Sequence, residues 1–119
     1  MMKVNEFILK ALRVPYKRWG SSWNGVDCYG LVRLFYREVR GIELPDIRTY
    51  RWWESWKKVK EPQTGDVLFI NLEEAHIALY VGNSRILHAL EKYGVRLDRY
   101  NKNWQKLTKS VWRLKDETP

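Results

Sequence analysis

The segment GVDCYGLVRLFYREVRG, residues 25–41, contains the clearest amphipathic helix of this 119-residue chain. Asp27 is of a residue type that caps helix N-termini, and Gly41 is of the type that commonly follows helix C-termini. Apolar side chains between them recur at helical spacing, namely Cys28, Leu31, Val32, Phe35 and Val39. The pattern predicts a helix that begins at Cys28, ends before Gly41 and turns one face to a core.

A second helix is predicted upstream, over residues 4–13. Its apolar residues also recur at helical spacing, namely Val4, Phe7, Ile8, Ala11 and Leu12. Pro15 disfavours helical backbone in Val14, so we expect this helix to end there. Residues 16–26 are rich in glycine, serine and asparagine, which predicts a loop leading to Asp27.

Downstream, the pattern changes to short apolar runs typical of strands. These runs cover 67–70, 76–81, 85–90, 95–99 and about 110–115. Turn-forming residues at 82–84 and 91–94 separate neighbouring runs, which indicates hairpin loops. Helices followed by antiparallel strands predict an α+β domain, and a chain of this length predicts one domain over residues 1–119.

The segment between Pro45 and Pro62 contains a group of three tryptophans: Trp52, Trp53 and Trp56. Their spacing fits one face of a short helix. Aromatic residues so arranged can stack on sugar rings, but a set at helical spacing is more often part of a core.

Composition and charge exclude several classes of protein. No apolar run approaches the roughly 18 residues that a membrane helix needs. We expect no signal peptide, because the apolar residues of the N-terminal segment are interrupted too early for one. The net charge of +8 favours polyanionic partners, such as nucleic acid or an anionic bacterial envelope. Because the basic residues are scattered along the chain, we expect no specific nucleic-acid partner.

Cys28 is the single cysteine, so the chain forms no internal disulfide and no zinc site of several cysteines. A lone cysteine is most often a small buried apolar residue. At a helix start, however, free backbone N–H groups and the helix dipole favour a thiolate and can hold an oxyanion. The predicted position of Cys28 is therefore that of a candidate nucleophile.

A base for this thiol has two candidates, His76 and His88, which fall in neighbouring predicted strands. A three-residue loop at 82–84 would place His76 opposite Leu90, with His88 as its diagonal neighbour on the same face. A two-residue loop would put the two histidines on opposite faces. In the first arrangement His88 would hold the far nitrogen of His76 and fix its tautomer.

Four segments of the chain resemble the NlpC/p60 family of papain-like cysteine peptidases, in the family's order over roughly residues 5–100. The first is Val14-Pro15-Tyr16 with Gly25-Val26-Asp27-Cys28-Tyr29-Gly30-Leu31-Val32, which resembles the nucleophile motif. The others resemble the strand before the catalytic histidine, the histidine strand and the strand of the third catalytic residue. They are Gly65-Asp66-Val67-Leu68-Phe69, His76-Ile77-Ala78-Leu79-Tyr80-Val81-Gly82, and Ile86-Leu87-His88-Ala89 with Gly94-Val95.

The resemblance implies a papain-like α+β fold, with the nucleophile at a helix N-terminus packed on an antiparallel sheet. It implies that Cys28 is the nucleophile, His76 the base and His88 its orienter, with the Tyr16 hydroxyl near the oxyanion. Three more residues are expected to contact substrate: Asp27, Tyr29 and Trp23. The family hydrolyses the bond between γ-D-glutamate and the diamino acid of peptidoglycan stem peptides, with no cofactor and no metal.

The residue after the nucleophile departs from the serine usual in bacterial members, because this chain has Tyr29 there. An aromatic residue at this position is more similar to the phage tail-assembly branch. That resemblance implies a virion-tail protein acting on the host envelope, with other tail proteins as partners; the alternative is a secreted or periplasmic enzyme. Two other functions stay open: a catalytically weak structural component that binds tail or wall, and a thiol amidase or acyltransferase on the same scaffold.

Overall fold

The computed structural model describes residues 1–46, 48–49 and 51–115, with the backbone but not the side chain of Trp52. Three α-helices and eight strands form it. The helices are α1 (Val4–Ala11), α2 (Cys28–Phe35) and α3 (Lys102–Leu107). The strands are β1 (Ser21–Ser22), β2 (Gly25–Val26), β3 (Trp56–Val59), β4 (Val67–Asn71), β5 (Ala75–Tyr80), β6 (Arg85–Leu90), β7 (Gly94–Arg99) and β8 (Thr108–Leu114).

Helix α2 forms where the sequence predicts it. The side chain of Asp27 caps it by accepting a hydrogen bond of 2.7 Å from the backbone N–H of Gly30. A wider π-helical turn, Tyr36–Arg40, continues the helix, and Gly41 ends it in the left-handed region at φ 66°. Helix α1 ends two residues earlier than predicted, at Ala11, and Leu12 of its apolar pattern is 41% exposed.

Six strands form one antiparallel sheet in the order β3-β8-β4-β5-β6-β7. The predicted meander is confirmed over β4 to β7, while β8 returns to pair with β4 on its other side. Three elements were not predicted: the short hairpin of β1 and β2, strand β3 and helix α3. Each is two to six residues long, too short for periodicity to show it.

The two faces of the sheet are buried in different ways. One face packs on α1 and α2 in the main core, which includes Phe7, Phe35, Leu79 and Leu87. The other face carries a smaller cluster around Leu68, Ala78 and Ile86, with Trp104 of α3 packed against it. The sheet is therefore covered on both faces. Helices packed on an antiparallel sheet make the fold α+β.

The prediction that Trp53 and Trp56 share one helical face is wrong. A 3₁₀ turn, Trp52–Ser55, ends before Trp56, which is the first residue of β3. Trp56 is 5% exposed in the main core, whereas Trp53 is 52% exposed. The side chain of Trp52 lies outside the described residues.

The loop before α2 packs tightly against the first turn of that helix at Gly30. A Cβ added at Gly30 would lie 1.7 Å from the carbonyl oxygen of Gly20, which also accepts a hydrogen bond from the N–H of Asp27. We expect Gly30→Ala to lower the free energy of unfolding by at least about 2 kcal/mol, because backbone must move to admit the methyl group. Urea unfolding measures this loss.

The matched control for this prediction is Gly41→Ala. A Cβ at Gly41 meets the end of the flexible Met1 side chain, so its cost comes from the left-handed backbone at φ 66°. We expect that cost to be about 1 kcal/mol. An equal loss for the two variants would contradict the tight contact between Gly30 and the loop.

Candidate active site

Cys28 is the first residue of α2 and is partly buried. Burial raises the pKa of the Cys28 thiol, and the backbone N–H of Ile77, the largest opposing cause, lowers it. The charge of Asp27 raises the pKa further, so the helix start alone does not produce a resting thiolate here. The lowering of the pKa by backbone N–H groups at the helix start is therefore outweighed by burial, and the causes together favour the protonated thiol.

Tyr16 is placed beside the thiol by backbone pairing. The N–H of Lys17 donates to the carbonyl of Val26 at 2.9 Å, and the N–H of Val26 donates to the carbonyl of Pro15 at 3.1 Å. These two bonds hold Tyr16 beside Val26, in the strand that leads into Cys28. Burial raises the pKa of the Tyr16 hydroxyl, and the nearby Cys28 and Asp27 raise it further. Tyr16 is therefore a hydrogen-bond donor next to Cys28.

The two histidines lie on one face of the sheet and contact each other. In β5 and β6, Leu79 pairs with Leu87 and Tyr80 with Ile86, which is the register expected for a three-residue loop. Continued along the strands, this register places His76 opposite Leu90. The Nε2 atom of His76 lies 2.9 Å from the Nδ1 atom of His88. The three-residue alternative is thus confirmed, and the ring of His76 is held through its Nε2 atom.

Both imidazoles are buried and resist protonation. Burial lowers the pKa of His76 to about 4, with the neighbouring His88 as a second cause. Burial also lowers the pKa of His88, whereas the hydrogen bond that His88 donates to the Asp98 carboxylate raises it. At neutral pH His76 is therefore an uncharged imidazole, which is the form that accepts a proton.

This burial predicts that acid destabilises the fold. An unfolded histidine has a pKa near 6.5, so stability is fully present above that pH and is lost as pH falls toward the folded pKa of His76, about 4. We expect the free energy of unfolding to fall by about 2 kcal/mol between pH 7 and pH 4.5 from His76 alone. Urea titrations at both pH values measure it, with His76→Gln as control. An equal loss in that variant would contradict the assignment to His76.

Cys28 and His76 open on the same cavity, of about 490 Å³. The cavity lies where β5 starts and β6 ends, beyond the two residue pairs that join these strands. Its wall also includes Tyr16, Ala89, Leu90 and an acidic group: Glu73, Glu74 and Glu91. A carbonyl group bound here has a thiol, an imidazole and a phenol within one enclosure.

The structure brings Cys28, His76 and Tyr16 together, with His88 fully buried behind His76. The three residues expected to contact substrate are absent from the described wall of this cavity: Asp27, Tyr29 and Trp23. The Asp27 carboxylate accepts hydrogen bonds from the N–H groups of Gly30 and Trp19, at 2.7 and 2.9 Å.

Tyr29 and Trp23 are packed within the fold. The Tyr29 side chain is 3% exposed, and its hydroxyl donates to the carbonyl of Pro45 at 3.2 Å. The Trp23 ring packs on Phe7 at 5.4 Å between centroids, with the ammonium of Lys10 4.3 Å above it. Tyr29 is therefore packed inside the fold, and the partly exposed Trp23 ring packs on α1.

Sequence reasoning missed two residues that contact His88. The Oδ2 atom of Asp98 lies 2.7 Å from the Nε2 atom of His88, and the ring of Trp104 meets the imidazole edge-on, with centroids 5.1 Å apart. Asp98 could have been found from strand alternation, because it is directly opposite Ile86, a same-face neighbour of His88. Trp104 lies on the unpredicted α3 and gave no signal.

Within the described residues, no helix has the length and apolar character needed to cross a membrane.

A 34% identical relative is "Murein DD-endopeptidase MepS/Murein LD-carboxypeptidase" of Escherichia coli K12, aligned over 78% of this chain and 51% of the relative. Another is "Tail tip assembly protein K" of Escherichia phage lambda, 32% identical over 84% of this chain and 60% of the relative. The chain thus spans about half the length of the first of these curated relatives.

A solved structure with the same fold is the NlpC/p60 domain of the peptidoglycan hydrolase SagA. It superposes with a TM-score of 0.70 at 21% identity, over 93% of this chain and 96% of that one. Residues 13–113 match the sequence model of the NlpC/P60 family. The papain-like fold expected from the four motifs is thereby confirmed, and this chain belongs to the NlpC/P60 family.

Proposed function

We propose that this chain is a cysteine peptidase that hydrolyses the amide bond between γ-D-glutamate and the diamino acid of peptidoglycan stem peptides. One observation carries the proposal: Cys28 and His76 share a cavity, and the far nitrogen of His76 is held by His88 at 2.9 Å. A nucleophile, a base and a group that orients the base are the parts that acyl transfer to a thiol requires.

The mechanism begins from an uncharged thiol and an uncharged imidazole. As Sγ of Cys28 attacks the amide carbonyl, the thiol proton passes to Nδ1 of His76, because Nε2 of that ring is occupied by His88. The backbone N–H of Cys28 and the Tyr16 hydroxyl donate to the oxyanion. His76 then protonates the leaving amine, and an acyl-enzyme remains on Cys28.

Release of the acyl group reverses these proton movements. Water enters from the cavity, gives a proton to His76 and attacks the thioester carbon. Collapse of the second tetrahedral intermediate returns the proton from His76 to Sγ of Cys28 and frees the new carboxylic acid, which ionises in water. No group outside this chain, its substrate and water takes part.

The murein relative and the phage lambda tail relative support action on bacterial wall from a phage tail. The positive net charge of the chain favours approach to an anionic envelope. The name of the murein relative records DD-endopeptidase and LD-carboxypeptidase activities, which cut other bonds. The identity of the cleavage products therefore shows whether the chain cuts the γ-D-glutamyl bond or one of the bonds named for this relative.

The test is mass spectrometry of purified muropeptides after incubation with wild type, with Cys28→Ala as the blank. We expect wild type alone to release fragments whose masses fit cleavage after γ-D-glutamate. Fragments cut at a DD cross-link would support the peptidase proposal but contradict the proposed γ-D-glutamyl bond. Uncut muropeptides, with a folded wild type, would overturn the enzyme proposal in favour of a structural component.

The tail role is tested separately, by searching for this chain in purified tail particles from cells that produce it. We expect it to co-sediment with the tail tip. Its recovery in the free fraction alone would contradict a tail role and leave the peptidase proposal intact.

A further inference from the structure

We propose that Asp98 is a positioning residue that fixes the tautomers of both histidines, so that Nδ1 of His76 is the nitrogen without a proton. The inference rests on the proposed function for its catalytic meaning. Its first measurement needs no turnover, so the two can fail separately.

Geometry links the three side chains in one line across three strands. His88 is the diagonal neighbour of His76 between β5 and β6, and Asp98 is the diagonal neighbour of His88 between β6 and β7. The two contacts along this line measure 2.9 and 2.7 Å. His88 is 0% exposed, so each of its ring nitrogens has one of these side chains as its partner.

Hydrogen-bond chemistry then fixes where the protons lie. A carboxylate accepts and does not donate, so the contact with Asp98 requires the proton of His88 on Nε2. A neutral imidazole has one N–H, so Nδ1 of His88 is bare and accepts from Nε2–H of His76. His76 has then used its own N–H, and its Nδ1 lone pair is free to receive the thiol proton.

Without the carboxylate, the opposite arrangement is available. His88 would donate from Nδ1 to Nε2 of His76, which puts the proton of His76 on Nδ1. Such a ring cannot take the proton of Cys28. The role of Asp98 is therefore to exclude the unproductive pair of tautomers.

The same contact stabilises the charge that forms during reaction. When His76 takes the proton of Cys28, the imidazolium donates from Nε2 to His88, which in turn donates from Nε2 to the Asp98 carboxylate. Arg96, directly opposite His88 on β7, opposes this by lowering the pKa of His88, while Asp98 raises it. The ring of Trp104 packs edge-on against the imidazole of His88.

The first experiment reads the ring nitrogens of His76 and His88 by two-bond ¹H–¹⁵N correlation NMR at neutral pH. We expect both wild-type rings to carry the proton on Nε2. In Asp98→Asn, whose amide can donate to His88, we expect a shift toward protonated Nδ1 in both rings. Unchanged nitrogen shifts in a folded Asp98→Asn would overturn the inference and leave Asp98 a purely structural residue.

The second experiment measures kinetics on the stem peptide. We expect Asp98→Asn to lower kcat on the order of 10²-fold with KM nearly unchanged, because substrate contacts stay in place. Asp98→Ala provides a second variant if the amide disturbs folding, and Arg99→Gln, on the other face of β7, is the matched control with wild-type kcat. A wild-type kcat in both Asp98 variants would overturn the inference.

The two experiments also separate this inference from the proposed function. If wild type cuts no stem peptide but the nitrogens of Asp98→Asn shift, the tautomer role stands and the peptidase proposal fails. If wild type cuts and the Asp98 variants match it, the peptidase proposal stands and this inference fails.

Discussion

Cys28→Ser is expected to lower kcat/KM for stem-peptide cleavage by at least about 10³-fold while the protein stays folded. The hydroxyl has nearly the shape of the thiol, so packing at the helix start is kept. Its proton, however, is far harder to remove, and the base is weak because burial lowers the pKa of His76 to about 4. A thiol can give its proton to such an imidazole during attack, whereas an alcohol cannot do so at a useful rate.

Alkylation gives an independent check, because Cys28 is the single cysteine of the chain. Iodoacetamide should label wild type once and remove its activity, and should leave Cys28→Ser unlabelled. Thermal unfolding of both proteins controls for the fold. A serine variant that cuts at the wild-type rate, or an alkylated wild type that stays active, would refute thiol catalysis.

Arg113→Met is expected to lower the free energy of unfolding by about 3 kcal/mol, the largest stability loss we predict. Asp66 is 1% exposed, and Arg113 donates to both its oxygens, from Nε at 3.0 Å to Oδ1 and from a terminal nitrogen at 2.8 Å to Oδ2. Removing the guanidinium leaves a buried carboxylate with the N–H of Gln63 as its remaining described partner, at 2.7 Å. Since the Arg113 side chain is 28% exposed, water can solvate part of the site and offset part of the cost. The expected loss therefore lies at the low end of the range for breaking a buried ion pair.

Urea unfolding measures this loss, and two further variants identify its origin. Arg113→Lys keeps the charge without the two-pronged contact, so its loss should be intermediate. Asp66→Asn combined with Arg113→Met removes the stranded charge and should recover part of the stability. If the double variant is no more stable than Arg113→Met, the cost does not come from the buried carboxylate.

This ion pair also shows why the Gly65-Asp66 motif lies where it does. Asp66 directly precedes β4, and Arg113 is near the end of β8, the strand that pairs with β4. The pair therefore fastens the returning strand to the meander that carries His76 and His88. Neither residue is in the described wall of the cavity, so we expect the pair to affect the site only through the sheet.

The helices and the meander could be predicted because their signals are local. Asp27 and Gly41 mark the ends of the helix that starts at Cys28, and the apolar runs mark four consecutive strands. Strand parity with the loop at 82–84 also gave the shared face of His76 and His88 as one of two alternatives. These features depend on side-chain period and turn chemistry within about a dozen residues.

Other features of the site depend on residues far apart in sequence. The raised pKa of Cys28 comes from burial, and the edge-on contact of Trp104 with His88 comes from the packing of α3 against the sheet. The inward packing of Tyr29 against Pro45 likewise needs the chain to return on itself. None of these could be derived from local spacing, and the prediction that Tyr29 contacts substrate finds no support in this placement.

The sequence by itself gave the family through the likeness of four motifs. It also gave the helix that starts at Cys28 and the four strands of the meander, because periodicity, caps and turns act between near neighbours. The tertiary structure alone decided that Cys28 on α2 and His76 on β5 line one cavity, and that burial raises the pKa of the thiol and lowers the pKa of the imidazole. Burial and cross-strand register set these properties, and both exist only once distant segments have packed together.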